Sequence, residues 1–437
     1  MRRDPERLGR EKVLRQGTLQ GKGPVMKPSK SMKIGILTYF WADNPGTFLQ
    51  AYCMVRAFAE RLGRDRVELI NYRVRNPGLE FNVRHVWLGN LIRDVKRHRM
   101  YRQLRTRHLP LSGSALTTKN TREALRFIRG LKYDMIVVGS DTILQFLPHH
   151  FANGSVPPYW LDSSVSARKV ACSASSGAME PDMLSSEQRR RLRTSIRQFS
   201  LVGVRDEPTF RLMEALSSDE SCKAEFVPDP TFIFDINRVE AERYLSQRGV
   251  NLSRPLVMLH LPSSFAPRAR ISEAFRARGY QVVSLASGGH GDIILSDASP
   301  FEWAGLFRYA KVVLTDRFHG TVFSLKNNTP VLSMDVHKNR TTHQGHSKVR
   351  DLLARFSMDG IHYLNACSGE LPSANEICRR AEIAMASFDR DAVAEKVEAM
   401  KDCFNRFVDK ACDATLRGQP ESRAGTRKRL FPEESHD

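Results

Sequence analysis

The sequence predicts an α/β protein with two doubly wound Rossmann-like domains and a cleft between them. Short apolar runs alternate with segments of helical spacing, and this alternation occurs in two successive series. Several of the apolar runs end in small or charged residues. Because parallel sheets of this kind bind ligands beyond the carboxyl ends of their strands, two facing sheets would place a site in the cleft.

The first series begins with the apolar run KIGILTY, which leads into a loop rich in Asn, Pro and Gly. FLQAYCMVRAFAERLG follows with apolar residues at helical spacing and a glycine at its end, and VELINY is the next strand. These pieces predict a β-α-β unit and therefore a parallel sheet covered by helices. Further strands are predicted within YDMIVVGSD, KVACSASSG, SLVGVRDE and EFVPDPTFIF.

The second series repeats the alternation with different residues. Its strands are predicted in PLVMLHL, YQVVSLA, KVVLT and PVLSMD, with helices around residues 271–278, at 301–309 and from about 320. We expect an N-terminal domain at 32–240, a C-terminal domain at 250–370 and C-terminal helices at 371–412. Residues 1–31 and 413–437 are polar and charged, which predicts a disordered basic leader and a disordered tail.

The net charge of +20 is concentrated in two segments. Residues 1–30 carry nine Lys or Arg against three acids, and residues 84–129 carry twelve against two. We interpret 84–129 as a basic helical insertion in the N-terminal domain. It could meet an acidic glycan, a diphosphate-linked lipid carrier or a membrane surface, or it could be a solvated helix. The rest of the chain is only mildly basic, so no nucleic-acid partner is expected.

The sequence shows neither a membrane-spanning segment nor a signal peptide. No apolar stretch approaches the length of a membrane-spanning helix, and the N-terminus has no apolar region behind its charges. The seven cysteines are scattered without a CxxC pair, which favours reduced thiols. We expect a cytoplasmic protein, with peripheral contact at the inner membrane face as an open alternative.

The stretch VVLTDRFHGTVFSL places a dense group of polar residues between two apolar runs. A strand ends at Thr315, and Asp316, Arg317 and His319 follow at its carboxyl end. Gly320 permits close backbone approach, and a helix begins near it. A helix N-terminus beside an arginine favours anion binding, and a histidine there is a plausible proton donor. Alternatively, the arginine pairs with the aspartate and the histidine caps a turn.

Other strand ends carry polar residues as well. Asn44 and Gly46 precede the first helix, Ser140 and Asp141 follow the strand of YDMIVVGSD, and Arg205 follows that of SLVGVRDE. Because the carboxyl ends of parallel strands lie at one edge of a sheet, we expect these residues to converge on one site.

The segment VHKNRTTHQGHSK contains His337, His343 and His346. It has no nearby cysteine or cluster of carboxylates, so a metal site is not expected there. Lys348 ends this segment and Arg350 lies two residues later, and they either add to the anion site or face solvent.

The order and spacing of these pieces resemble those of the polysaccharide pyruvyl transferase family. The resemblance covers roughly residues 33–356, and DRFHGTVFSL is its strongest single element. It runs from KIGILTYFWADNPGTFLQAY through VELINY, YDMIVVGSD, ACSASSGAM, VGVRDE and PDPTFIFD to SPFEWAGLFRYAKVVLTDRFHGTVFSLKNNTPVLSM and SKVRDLL.

The resemblance implies a fold like that of GT-B glycosyltransferases and the chemistry of exopolysaccharide biosynthesis. The enolpyruvyl group of phosphoenolpyruvate would move onto a saccharide or lipid-linked saccharide as a pyruvate ketal, with no metal or organic cofactor. By position, the donor-binding and catalytic roles fall on Asp141, Arg205, Arg317, Phe318 and His319.

These residue types suit that chemistry. Two arginines can hold the carboxylate and the phosphate of the donor, His319 can protonate its vinyl carbon, and Asp141 can accept or orient a sugar hydroxyl proton. We therefore assign catalysis to His319, Asp141 and Arg205. Substrate binding is assigned to Arg317, Phe318, Gly320, Ser140, Asn44, Gly46 and Lys348.

The sequence is also compatible with two other functions. A GT-B-type glycosyltransferase would use Arg317 and His319 on the diphosphate of a nucleotide sugar. A non-enzymatic basic protein would bind anions through the leader and residues 84–129.

Overall fold

The computed structural model describes residues 32–416, apart from 75–87, 147–149, 152–153, 218–222, 287–288, 344 and 368–370. The predicted leader and most of the predicted tail lie outside this range. Secondary-structure elements are numbered below over the described residues.

The first sheet has seven strands, all parallel to their neighbours, in the order β3-β2-β1-β4-β5-β6-β7. This is the Rossmann order extended by one strand. The strands are β1 Ile34–Leu37, β2 Val67–Val74, β3 Leu111–Thr118, β4 Met135–Val138, β5 Arg168–Ala174, β6 Phe199–Val204 and β7 Ala224–Phe226.

The second sheet has six parallel strands in the order β10-β9-β8-β11-β12-β13, which repeats the Rossmann order. Its strands are β8 Leu256–His260, β9 Gln281–Ser284, β10 Ile293–Ile294, β11 Val312–Thr315, β12 Val331–Asp335 and β13 Tyr363–Asn365. Two doubly wound α/β domains are thus present, and the predicted fold class is confirmed.

Helices cover both sheets. Those of the first domain are α1 Pro45–Leu62, α2 Leu88–His108, α3 Thr121–Gly130, α4 Ser186–Ile196 and α5 Glu207–Leu216. The later helices are α6 Arg238–Gln247, α7 Arg268–Ala277, α8 Pro300–Leu306, α9 Phe318–Lys326, α10 Lys348–Arg355, α11 Ala374–Ala386 and α12 Arg390–Leu416. Helix α11 packs on α7 of the second domain, whereas α12 returns to pack on α1 of the first. Among the described helices, none is both long and apolar enough for a membrane span.

The segment 84–129 differs from the predicted insertion. Its described part forms α2, β3 and most of α3, and β3 pairs with β2 as the edge strand of the first sheet. The segment is therefore a regular β-α part of the fold. LSGSALTT was missed because an edge strand is paired on one side only, and most of β3 is exposed or half-buried, so the sequence lacks a continuous apolar run.

Aromatic side chains join the two domains. Phe48 of α1 lies edge-on to Phe301 of α8, with ring centroids 5.8 Å apart, and Phe301 also stacks on Phe234 at 6.1 Å. Tyr52, one turn after Phe48, contacts the same two rings. Burial of these rings contributes to the contact that holds the first turn of α1 close to the second domain.

Candidate active site

A cleft between the two domains collects the carboxyl ends of several strands. It has a volume of about 750 Å³, including the part that is open to solvent. Residues after β4 and β11 line it, together with the last residues of β8 and β12 and the first turns of α1, α9 and α10. The polar strand ends of both sheets therefore contribute to one concave site, as parallel sheets of this kind require.

Three helices begin at this cleft, so the positive ends of three helix dipoles converge on it. Asn44 caps α1 by accepting a bond from the Thr47 amide at 3.0 Å, and Ser347 caps α10 in the same way. Within the described part of the chain, no side chain caps the first turn of α9, which follows Arg317. Its backbone N–H groups are suited to bind an anion.

Three cationic side chains also line the cleft: Arg317, Arg340 and Lys348. Arg340 donates to the carbonyl and the carboxylate of buried Asp316 at 2.7 and 2.8 Å. The Arg317 Nε atom lies 3.0 Å from the other Asp316 oxygen, so the predicted alternative of an Arg–Asp pair is present. The Arg317 side chain nevertheless remains 41% exposed, which leaves it accessible to a ligand.

Lys348 lies at the start of α10, with its Nζ atom 5.7 Å from the centre of the Phe318 ring. Burial lowers the pKa of Lys348, and the nearby carboxylate of Asp141 opposes this effect. An ammonium group in this position is electrostatically complementary to an anion in the cleft.

His319 is inserted between groups of the first domain. Its Nε2 atom lies 3.6 Å from Asp229 Oδ2, and its side chain is 12% exposed. The opposite side of the ring packs on α1, because a Cβ atom added to Gly46 would lie only 2.3 Å from His319 Cγ and Nδ1. Gly46 thus permits a close approach between the helix and the imidazole, which is not the role in substrate binding that the sequence predicted for it.

Asp229 is a site residue that the sequence interpretation missed. It follows β7 and caps a short 3₁₀ helix, Pro230–Ile233, by accepting bonds from the Thr231 amide at 3.0 Å and hydroxyl at 2.6 Å. Burial favours the neutral acid, but His319 and Arg205 outweigh burial and hold the pKa of Asp229 below its usual range. Asp229 is therefore a buried carboxylate beside the imidazole.

Arg205 was predicted to act in catalysis at the donor, and the structure places it away from the cleft surface. Its side chain is fully buried and does not line the cleft. It donates to Asp229 at 2.5 Å and to Asp141 at 3.1 Å, and its guanidinium carbon lies 4.4 Å from the centre of the Phe318 ring. Arg205 thus positions two carboxylates and contacts an aromatic ring of the other domain.

Ser140 and Gly320 also differ from their predicted roles in substrate binding. Ser140 is buried, and its hydroxyl donates to Asp229 at 3.2 Å. A Cβ atom on Gly320 would lie 2.4 Å from Thr315 Oγ1, so this glycine permits α9 to pack against the end of β11. Both residues are buried beneath the surface of the cleft, where they support the residues that line it.

Asp141 lines the cleft as predicted, with its side chain 17% exposed. Its Oδ1 atom accepts bonds from Arg205 at 3.1 Å and from the Thr142 amide at 2.8 Å. Burial raises the pKa of Asp141, but Arg205, Lys348 and His319 together lower it below its usual range. Asp141 is therefore an ionised carboxylate near the cations of the cleft.

His260 is a second residue that the sequence interpretation missed. It ends β8 and lines the cleft, and its Nδ1 atom has no hydrogen-bond partner among the described residues. Burial, together with the charges of Arg317 and Arg97, lowers the pKa of His260 to about 3. This histidine is neutral near pH 7. Its position at a strand end was the available signal.

The segment with His337, His343 and His346 contacts the first domain. The His343 amide donates to Glu180 at 3.0 Å, and His343 Nε2 lies 3.8 Å from the same carboxylate oxygen. Within the described ranges, no group of three or more His, Cys, Asp or Glu residues could hold a metal ion.

Comparisons with known proteins agree with this architecture. The family model for polysaccharide pyruvyl transferases matches residues 44–338. Among curated proteins, no sequence matches the chain.

Two solved structures resemble the fold. Anabaena HepE, crystallised with UDP and glucose, has 12% identity and a TM-score of 0.51, with 89% of this chain and 100% of that chain covered. A glycosyltransferase from Rickettsia africae ESF-5 has 10% identity and a TM-score of 0.50, with 90% and 100% covered. At these identities the likeness shows the fold alone, which is of the GT-B type. Because the family model matches well over half of the residues of this chain, the chain belongs to the polysaccharide pyruvyl transferase family.

Proposed function

We propose that this protein transfers the enolpyruvyl group of phosphoenolpyruvate to a saccharide, forming a pyruvate ketal and releasing phosphate. The observation that carries this proposal is the placement of His319 beside the buried carboxylate of Asp229, at the edge of a cationic cleft. Family membership supports a transferase, and the cleft supplies groups suited to a small dianionic donor.

The donor carries a carboxylate and a phosphate. In our proposal Arg317, Lys348 and the uncapped first turn of α9 bind these two groups, because all three line the same cleft. Arg205 takes no direct part in this binding, since it is buried. Its role is to hold Asp141 and Asp229 in place.

Ketal formation begins with proton transfer. His319 donates a proton to the CH₂ carbon of phosphoenolpyruvate, the π electrons form the new C–H bond, and C2 becomes cationic. A sugar hydroxyl attacks C2, and Asp141 accepts its proton. The C2–O bond to phosphate then breaks with its electron pair, and a second hydroxyl closes the ketal ring. Asp141 then releases the proton that it accepted, so that of the two hydroxyl protons one restores His319 and the other leaves with phosphate.

Ligand binding is tested first, by thermal unfolding of the full chain. Phosphoenolpyruvate at 100 times its Kd is expected to stabilise the protein by about 2.7 kcal/mol, and UDP-glucose is expected to have no effect. Arg317→Gln should weaken the response to phosphoenolpyruvate about tenfold or more. Arg308→Gln, a change at an exposed arginine, is the matched control and should respond as the wild type does.

Catalysis is tested by phosphate release and ketal mass with galactosides, mannosides and N-acetylhexosamines as acceptors. His319→Gln should retain phosphoenolpyruvate binding and lose about 10²–10⁴-fold in turnover. Stabilisation by UDP-glucose alone would instead favour a glycosyltransferase. Turnover that survives in His319→Gln would refute the assigned proton donor.

A further inference from the structure

We infer that the outward face of α2 docks on an anionic membrane surface beside the cleft. This face is defined by its exposed residues Ile92, Val95, Lys96, Arg99 and Arg102. They recur at intervals of three and four positions, which places them on one side of the helix. The inference concerns a binding surface and does not depend on the proposed donor or on the chemistry of transfer.

The inward face of α2 fixes the helix to the cleft. Arg105 donates to the Trp41 carbonyl and to the Asp43 carboxylate, both at 3.0 Å, and His98 Nδ1 lies 2.8 Å from the same carboxylate. Arg97 donates to the Asp43 carbonyl. Asp43 immediately precedes Asn44, the cap of α1 that lines the cleft. A surface bound by α2 is therefore held at a fixed place relative to the cleft.

The C-terminal end of α2 contacts the second domain. The ring of His108 lies edge-on to Phe301 of α8, with centroids 5.1 Å apart, and buried Tyr101 lies edge-on to Phe48. The helix is thus packed along its inward face, while its outward face has exposed side chains. Its exposed cations are accessible to a partner.

The composition of the outward face favours a membrane over a free polyanion. Ile92 and Val95 are 57% and 48% exposed, one turn apart and directly beside Lys96 and Arg99. The cations of this face are Lys96, Arg99 and Arg102, three of the seven Lys or Arg in residues 88–108. A soluble polyanion requires the cations alone, whereas helices at a lipid interface combine cations for the headgroups with apolar side chains that enter the interface. Charge complementarity therefore points to anionic lipid.

The experiment measures co-sedimentation of the full chain with vesicles of phosphatidylcholine that contain 30% phosphatidylglycerol, or none. Binding is expected only with the anionic lipid, and it should fall at high salt. Lys96→Glu/Arg99→Glu should weaken binding about tenfold or more. The matched control is Arg122→Glu/Arg126→Glu, which makes the same charge change at exposed positions of α3.

Ile92→Ser/Val95→Ser tests the apolar part at constant charge. It should weaken vesicle binding and leave binding to a soluble sulfated polysaccharide unchanged. Equal losses in the α2 and α3 charge variants would overturn the inference, because binding would then follow net charge alone. Full binding by the Ile92→Ser/Val95→Ser variant would also overturn it, in favour of a soluble polyanion. Thermal unfolding of each variant verifies that the fold is retained.

Discussion

The close contact between Gly46 and His319 predicts that the substitution Gly46→Ala lowers the catalytic rate. The new Cβ atom would lie 2.3 Å from two atoms of the imidazole, whereas ordinary van der Waals contact begins at 3.4 Å. The ring must therefore leave its present position by about 1 Å, which changes its geometry relative to Asp229. A displacement of this size in a catalytic group costs roughly 100-fold in rate. Turnover of phosphoenolpyruvate, measured by phosphate release, should fall by about this factor.

The fold should tolerate the same change. Gly46 lies within α1, and alanine is favoured over glycine in a helix by up to about 1 kcal/mol, which offsets part of the cost of moving His319. Gly130→Ala, at the end of α3, is the control, because a Cβ atom there meets nothing within 4 Å. It should leave turnover unchanged. Full turnover by Gly46→Ala, with unfolding like that of the wild type, would refute the assignment of His319 as proton donor in this geometry.

The other predictions concern Asp229 and His260. Asp229→Asn removes the charge opposite buried Arg205 and places an amide among hydrogen-bond donors, so the free energy of unfolding should fall by about 3 kcal/mol at pH 7. Since folding lowers the pKa of Asp229, this stabilisation is present above about pH 4 and is lost as the pH falls further. The free energy of unfolding, measured with urea, should therefore differ less between wild type and variant at pH 3 than at pH 7. A constant difference would contradict the pKa argument. The pH dependence of the rate between about pH 5 and 9 should be the same in His260→Asn as in the wild type, because His260, with a pKa of about 3, does not titrate there. If the variant loses a rise or fall of the rate in this range, that titration belongs to His260.

The sequence predicted where the site would lie because the rule for parallel strands is geometric. Asp141 and His319 come from different domains, yet both line one cleft since each follows the carboxyl end of a strand. The same rule did not give the direction of each side chain. Arg205 follows β6 as Asp141 follows β4, but its guanidinium points into a buried group of carboxylates, and neither spacing nor residue type specifies that direction.

Asp229 and the edge strand show two further limits. Asp229 lies in a Pro-Asp-Pro sequence that is typical of a turn, and only the tertiary fold brings its carboxylate beside Arg205 and His319. Strand β3 has a polar, largely exposed sequence, so periodicity could not distinguish it from a loop. In both cases the missing information is the identity of the neighbours in space.

The contacts of α9 with the first domain have a consequence for catalytic timing. The imidazole belongs to one domain, whereas its carboxylate neighbour and the glycine against which it packs belong to the other. Any separation of the domains that admits a bulky saccharide would also pull the acid away from its neighbour. Under the proposed function, we expect proton transfer to the donor to require closed domains, so that the reactive cation would form only once the domains have closed around the acceptor.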